Sequence, residues 1–372
     1  ALRFDLTVPL ARYVAEHEHE LVFPFRRSQV QRVYRGERPQ RGRYREFYQC
    51  DIDIIDRDTL SLRHDAEVAA TMISVLTELE IGEITVRLNN RRLMRSLLAY
   101  SGIASPDDQS AALREIDKLD KAGRDKVSES LVALGAARDG VDRLLDSISG
   151  RVGGLGDIED ALAELPTATR EEGGGAEELT EVVRTMDALG VPPERYLLDL
   201  SVARGLDYYT GTVYETVLDS HPELGSICSG GRYDDLAGQY TSTRLPGVGM
   251  SIGFTRLFWQ LREAGLLPGS RPPIDVTVSL IDEAGLEYAL GIAGRLRAAG
   301  LSTESHMVPT KLGRQLRNAD RAGIRFVVIA GEDERSQTEA TVKDLTTGEQ
   351  SLVDLDALVD HIRSRISRQE VR

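Results

Sequence analysis

Polar and apolar residues alternate most cleanly over 46–55. Tyr48, Cys50, Ile52 and Ile54 fall on one side of an extended chain, and Phe47, Gln49, Asp51 and Asp53 on the other. The segment predicts a strand that buries one face and offers a polar one. A second strand-like run, 28–35, precedes it across a loop rich in Gly, Pro and Arg. Upstream, Thr7 as N-cap, Pro9 in the first turn, and Leu10, Tyr13 and Val14 on one face predict a helix. A helical pattern covers 65–79 and a strand pattern 84–88. From about 92 to 189 the chain reads as almost wholly helical, and strands return near 212–218 and 247–252. Beyond the break at 268–273, where paired prolines cannot continue a helix, the pattern alternates. It gives a strand at 275–280, a helix near 285–298, a strand near 302–307, a helix near 312–322 and a strand at 326–330, the mark of a compact α/β domain.

Length and composition narrow this picture. The 372 residues suggest two or three domains at roughly 100–200 residues each. With 28% charged and 41% hydrophobic residues, the chain is neither collagen-like nor a disordered tail. No apolar run approaches the 18 or so residues of a membrane helix, no secretory leader pattern is present, and Cys50 and Cys228 read as reduced thiols. A cytoplasmic protein is expected. The net charge of −14 argues against a general nucleic-acid coat, but its distribution is uneven. Between Arg26 and Arg45 eight Arg face one Glu, a local +7. The segment 156–181 is acidic, with Glu172-Gly173-Gly174-Gly175 reading as a mobile loop.

Four runs carry candidate chemistry. The Arg-rich hairpin 33–49 is either a solvated basic loop or a phosphate-binding one, since the planar guanidinium fork matches phosphate oxygens two at a time. The adjoining face of Phe47, Gln49, Asp51 and Asp53 favours a small-molecule floor, with an aromatic for a purine and carboxylates for an amine. Arg204-Gly205-Leu206-Asp207-Tyr208-Tyr209 reads either as a charge held over a site or as a strand-edge turn with core tyrosines. In Cys228-Ser229-Gly230-Gly231-Arg232-Tyr233-Asp234 the paired glycines mark a turn or a close backbone approach to a ligand. The run 247–256 is a glycine-rich strand whose small residues leave room for a flat ring, followed by Arg256 at a helix start. The six His have no partners at ligand spacing, so a zinc site is not expected, and Cys50 on the apolar face reads as packing.

Together the hairpin, the Arg204–Tyr209 run and the Gly230–Asp234 run resemble the histidyl-tRNA synthetase family of class II aminoacyl-tRNA synthetases, over nearly the whole chain. The hairpin is similar to class II motif 2 and 249–256 to motif 3, while Lys311-Leu312-Gly313, Gly331-Glu332-Asp333-Glu334 and Lys343-Asp344-Leu345 resemble the family's anticodon-binding domain. The resemblance implies an α+β fold, an antiparallel sheet flanked by helices. Residues 1–91 and 190–267 would form the catalytic domain, 92–189 a helical insertion and 274–372 the α/β anticodon-binding domain.

The same resemblance implies roles. Arg35 and Arg204 would be catalytic, acting on the ATP α-phosphate. Glu37, Arg43, Phe47 and Arg256 would join Arg35 in holding ATP, with Phe47 and Arg256 sandwiching adenine. Asp5, Leu6, Thr7, Gln49, Asp53, Tyr208 and Tyr209 would hold L-histidine, and Arg38, Gln40 and Arg41 would meet the acceptor end of histidine tRNA. ATP enters as substrate, with Mg²⁺ bridging its leaving pyrophosphate and no permanent cofactor. Thr255 stands where the family usually places Glu before the motif 3 arginine. Motif 1, which precedes Ala1 in the family and builds its homodimer, is absent, so the chain is expected to be truncated and its dimerisation and full activity impaired. The alternative function is that of a catalytically inactive paralogue, a regulatory subunit or tRNA sensor.

Overall fold

Strands β1 (Phe25–Tyr34) and β2 (Glu46–Ile55) pair antiparallel along their full length in the computed structural model, which describes residues 1–170, 174–203, 208–267 and 273–367. They form one edge of an eight-stranded sheet completed by β3 (Ile84–Asn90), β4 (Arg151–Gly153), β5 (Tyr196–Asp199), β6 (Thr212–Leu218), β7 (Cys228–Tyr233) and β8 (Gly247–Ile252). The strand order is β1-β2-β8-β7-β6-β3-β5-β4, antiparallel throughout except between β3 and β5. Helix Arg63–Glu78 packs Ala66, Ala69, Met72 and Ile73 into one core with Ile54, Val248 and Met250.

Two expectations need correction. The first helix spans Thr7–His17 with Leu6 at its N-cap, and the capping oxygen comes from Asp5, whose Oδ1 accepts the Val8 N–H at 3.1 Å. The described part of the stretch read as almost wholly helical is helical but for the three-residue β4, which pairs with β5 while Arg151 reaches Asp199 at 2.8 Å. The polar face of β2 is the more buried one: Asp51 and Asp53 are 3% exposed, whereas Tyr48 on the apolar side is 43% exposed. Alternation distinguishes two faces but not what covers each. Strands β5 and β7 escaped the reading because one is four residues long and the other is broken by Gly230 and Gly231. The expectations for Glu172-Gly173, for Pro268 to Pro272 and for Arg204 concern positions outside the described residues.

The chain divides into two units after Leu267. The second carries β9 (Val276–Val278), β10 (Thr303–Ser305), β11 (Phe326–Ile329), β12 (Glu339–Asp344) and β13 (Gln350–Asp354), ordered β10-β9-β11-β12-β13. The first three are parallel and the last two antiparallel. Val276, Val278, Phe326 and Val328 form its core with Ile292 and Leu296 of helix Leu286–Ala298 and Ile362 of helix Leu358–Ser367.

Candidate active site

The polar face of β2 becomes the floor of a cavity of about 400 Å³. Asp5, Thr7, Arg35, Glu37, Arg43, Phe47, Gln49, Tyr208, Tyr209 and Arg256 all line it. Leu6 and Asp53 are buried outside its lining, and Arg38, Gln40 and Arg41 are exposed on the hairpin loop. Arg204 lies outside the described residues. Residues that sequence reasoning gave no role also line the cavity, among them Glu215, Ser229, Ser251 and Gln260. No sequence signal marked Ser229 or Ser251, which enter through the register of the sheet, where Ser251 of β8 stands opposite both Asp51 and Ser229.

From Phe47 to Asp51 the floor runs four residues, roughly 13 Å of extended chain, with Asp53 buried just beyond it, and its chemistry changes along the way. At the Phe47 end, Arg35 follows β1 directly, and its N–H donates to the Arg45 carbonyl at 2.8 Å, closing the hairpin mouth. Its guanidinium lies 4.6 Å from the Phe4 ring centroid and 5.0 Å from that of Phe47. Gln40 and Arg43 exchange backbone hydrogen bonds at 3.1 and 2.9 Å, and between them Gly42 adopts φ +69°. A Cβ there would sit 2.7 Å from the Trp259 ring, so the loop can rest on the single tryptophan only as glycine. Arg256 is held toward the Leu224 carbonyl, which also accepts from Gln260 Nε2 at 2.7 Å.

At the other end the charge is negative. Asp53 Oδ1 accepts from the Tyr233 hydroxyl at 2.9 Å, and Oδ2 lies 3.6 Å from Arg27 Nη2. Asp5 Oδ2 receives the Tyr208 hydroxyl at 3.4 Å, and Tyr208 packs edge-on against Tyr209 and Tyr233. The glycines make this possible: a Cβ on Gly249 would meet Asp53 Oδ1 at 2.2 Å, and one on Gly231 would meet the Tyr209 ring at 2.9 Å. These glycines therefore make room for the protein's own carboxylate and ring.

Burial disfavours the charged forms here. It pushes Asp51 up to about 7, against the opposing hydrogen bond from Ser251, and Asp53 to about 6, against the pull of Arg27 and Tyr233. Burial likewise raises both Tyr208 and Tyr209, keeping them neutral hydroxyls. Asp51 binds protons more tightly folded than unfolded, so its contribution to stability is present at low pH and lost as pH rises through 7. Asp51→Asn is therefore expected to raise the melting midpoint at pH 8 by about 5 °C, the gain shrinking as pH falls toward 4. Thermal melts across that range check it; a pH-independent difference would refute the assignment.

A largely antiparallel sheet whose floor holds guanidinium groups at one end and carboxylates at the other, in a chain carrying a separate α/β unit, has the make-up of a class II aminoacyl-tRNA synthetase. The family model described as histidyl-tRNA synthetase matches residues 1–257, and that of an anticodon binding domain matches 275–365. The histidine–tRNA ligase of Stenotrophomonas maltophilia is 54% identical, covering 100% of this chain and 81% of that protein. The one from Xanthomonas oryzae pv. oryzae is 56% identical, covering 96% and 77%. Among solved structures, histidyl-tRNA synthetase from Nostoc sp. PCC 7120 superposes with a TM-score of 0.82 at 40% identity, covering 98% of this chain and 84% of that one. The chain belongs to the histidyl-tRNA synthetase family.

Proposed function

We propose that the cavity binds ATP at its Arg35 end and L-histidine at its Asp53 end, bringing the histidine carboxylate to the α-phosphorus between them. The activity is that of a histidine–tRNA ligase: histidine is activated with ATP to the adenylate and transferred to the 3′ end of histidine tRNA. The reversal of charge along the cavity floor carries the assignment of the two ends. A triphosphate needs cations, and the ammonium and imidazole of histidine need acceptors.

Attack of the carboxylate on the α-phosphorus forms the acyl–phosphate bond as pyrophosphate leaves, and it requires positioning and charge neutralisation rather than a covalent bond to the protein. Arg35, oriented by the Phe4 and Phe47 rings, is the group we assign to the α-phosphate and the substrate carboxylate. Arg204 takes the second catalytic position by the family pattern. Glu37 and Arg43 fall to ATP, with Phe47 and Arg256 about the adenine. Asp5, Leu6, Thr7, Gln49, Asp53, Tyr208 and Tyr209 fall to histidine. The neutral tyrosine hydroxyls there supply directional hydrogen bonds. Arg38, Gln40 and Arg41, exposed on the hairpin, are assigned to the tRNA acceptor end. ATP enters as its Mg²⁺ complex, an oxygen-ligated hard cation suited to phosphate.

A homodimer and a cytoplasmic location complete the reading. The first rests on the family pattern alone, and the free thiols Cys50 and Cys228 support the second. No helix among the described residues is long and apolar enough to cross a membrane.

Amino acids added singly to an ATP–pyrophosphate exchange assay test the function. Histidine alone is expected to support exchange. Exchange with another amino acid would overturn the specificity, and none with any would favour a non-catalytic paralogue.

A further inference from the structure

Three side chains on the cavity floor form a hydrogen-bond chain. Asp51 of β2 stands directly across from Ser251 of β8, and Gln49 lies two residues along β2 on the same face. The Ser251 hydroxyl donates to Asp51 Oδ1 at 2.5 Å, and Gln49 Nε2 donates to Ser251 Oγ at 2.7 Å. A serine hydroxyl has one proton. With that proton on the carboxylate, Ser251 can only accept from Gln49, so the amide NH₂ turns toward it and the carbonyl turns away. Gln49 Oε1 is buried and has no hydrogen-bond partner among the described residues. A buried acceptor left unmet is costly unless something arrives to meet it.

We propose that Asp51 and Ser251 are positioning residues that hold Gln49 with its carbonyl oxygen facing the cavity, as the acceptor for the α-ammonium group of the amino-acid substrate. The inference rests on the reading that places Gln49 in the histidine pocket. An ammonium carries donors only. Facing a carbonyl it makes a charge-assisted hydrogen bond; facing an amide NH₂ it meets hydrogens and is repelled. The two arrangements differ by a half-turn of the amide plane, which glutamine itself barely distinguishes. Ser251 decides between them, and Asp51 decides for Ser251.

Steady-state ATP–pyrophosphate exchange on the intact chain tests the relay. Ser251→Ala is expected to raise the KM for histidine roughly tenfold, the loss expected for one hydrogen bond to a charged group. The KM for ATP and kcat should stay within about twofold, the pattern of lost ground-state binding. Ser251→Thr keeps the hydroxyl and should return the histidine KM to the wild-type value. Gln49→Ala should raise the histidine KM at least as far, and adding Ser251→Ala to it should change nothing more, because the relay acts only through Gln49. If Gln49→Ala raised the histidine KM and Ser251→Ala did not, the relay would be overturned while the histidine pocket stood. An equal effect of Ser251→Ala with or without Gln49 would overturn it too. If Gln49→Ala left the histidine KM unchanged, the pocket assignment of Gln49 would fail, and the relay with it.

Discussion

Arg35→Ala is expected to slow histidine-dependent ATP–pyrophosphate exchange by roughly 10²–10³-fold, the usual loss when one preorganised charge is removed from a developing anion. The side chain is set up before substrate arrives. Its backbone N–H is tied to Arg45, its Nε lies 3.4 Å from the Phe4 carbonyl, and its guanidinium rests by two rings. Little reorganisation then remains for the reaction itself. Arg35→Lys should recover only a small part, because a single ammonium cannot offer two parallel donors or stack on the rings. The side chain is half-buried and outside the core, so the melting midpoint of Arg35→Ala should stay close to wild type. Exchange within threefold of wild type in a folded variant would remove Arg35 from the catalytic role.

Arg232→Met should produce the largest loss of stability, about 3–5 kcal/mol, because it leaves Asp65 as a buried carboxylate without its cation. Arg232 Nη2 lies 2.6 Å from Asp65 Oδ2, its Nε reaches both carboxylate oxygens, and Nη2 also donates to the Leu60 and Ser61 carbonyls. The pair ties β7 to the first turn of helix Arg63–Glu78, with the two side chains 5% and 0% exposed. Burial already raises Asp65 above the ordinary carboxylate range despite Arg232, which shows how little slack the site has. Thermal or urea unfolding of the single variant measures the loss. The double variant Arg232→Met, Asp65→Leu should regain most of it, since two apolar side chains of similar volume need no charge partner. A single variant that unfolds like wild type would sink the idea. Arg232 thus acts as the anchor of its strand, although it sits in a run whose paired glycines suggested approach to a ligand.

Much of the first unit was legible in the sequence. Expected bounds of 46–55 and 212–218 coincide with β2 and β6, because β-rich runs bounded by turn residues leave few alternatives, and 247–252 coincides with the glycine-containing β8. The second unit was read through β11, but β12 and β13 were not, since Glu339–Asp344 and Gln350–Asp354 mix charged and apolar residues without a strong hairpin signal. Ten of the expected site residues line one cavity, including Asp5 and Tyr208, which meet across 203 positions of chain.

The sequence by itself determined which side chains share a face of β2 and which residue types stand in each motif. Those follow from local geometry, a two-residue period and the chemistry of single residues. Tertiary structure alone decided which face is buried. The N-terminal segment and the tyrosine pair close over the polar one, raising Asp51 and Asp53 by desolvation. It also decided that Gly249 and Gly231 leave space for a carboxylate and a ring, and that Ser251 meets Asp51. Such facts depend on strands 200 residues apart lying side by side, and no local pattern encodes the neighbour across the sheet.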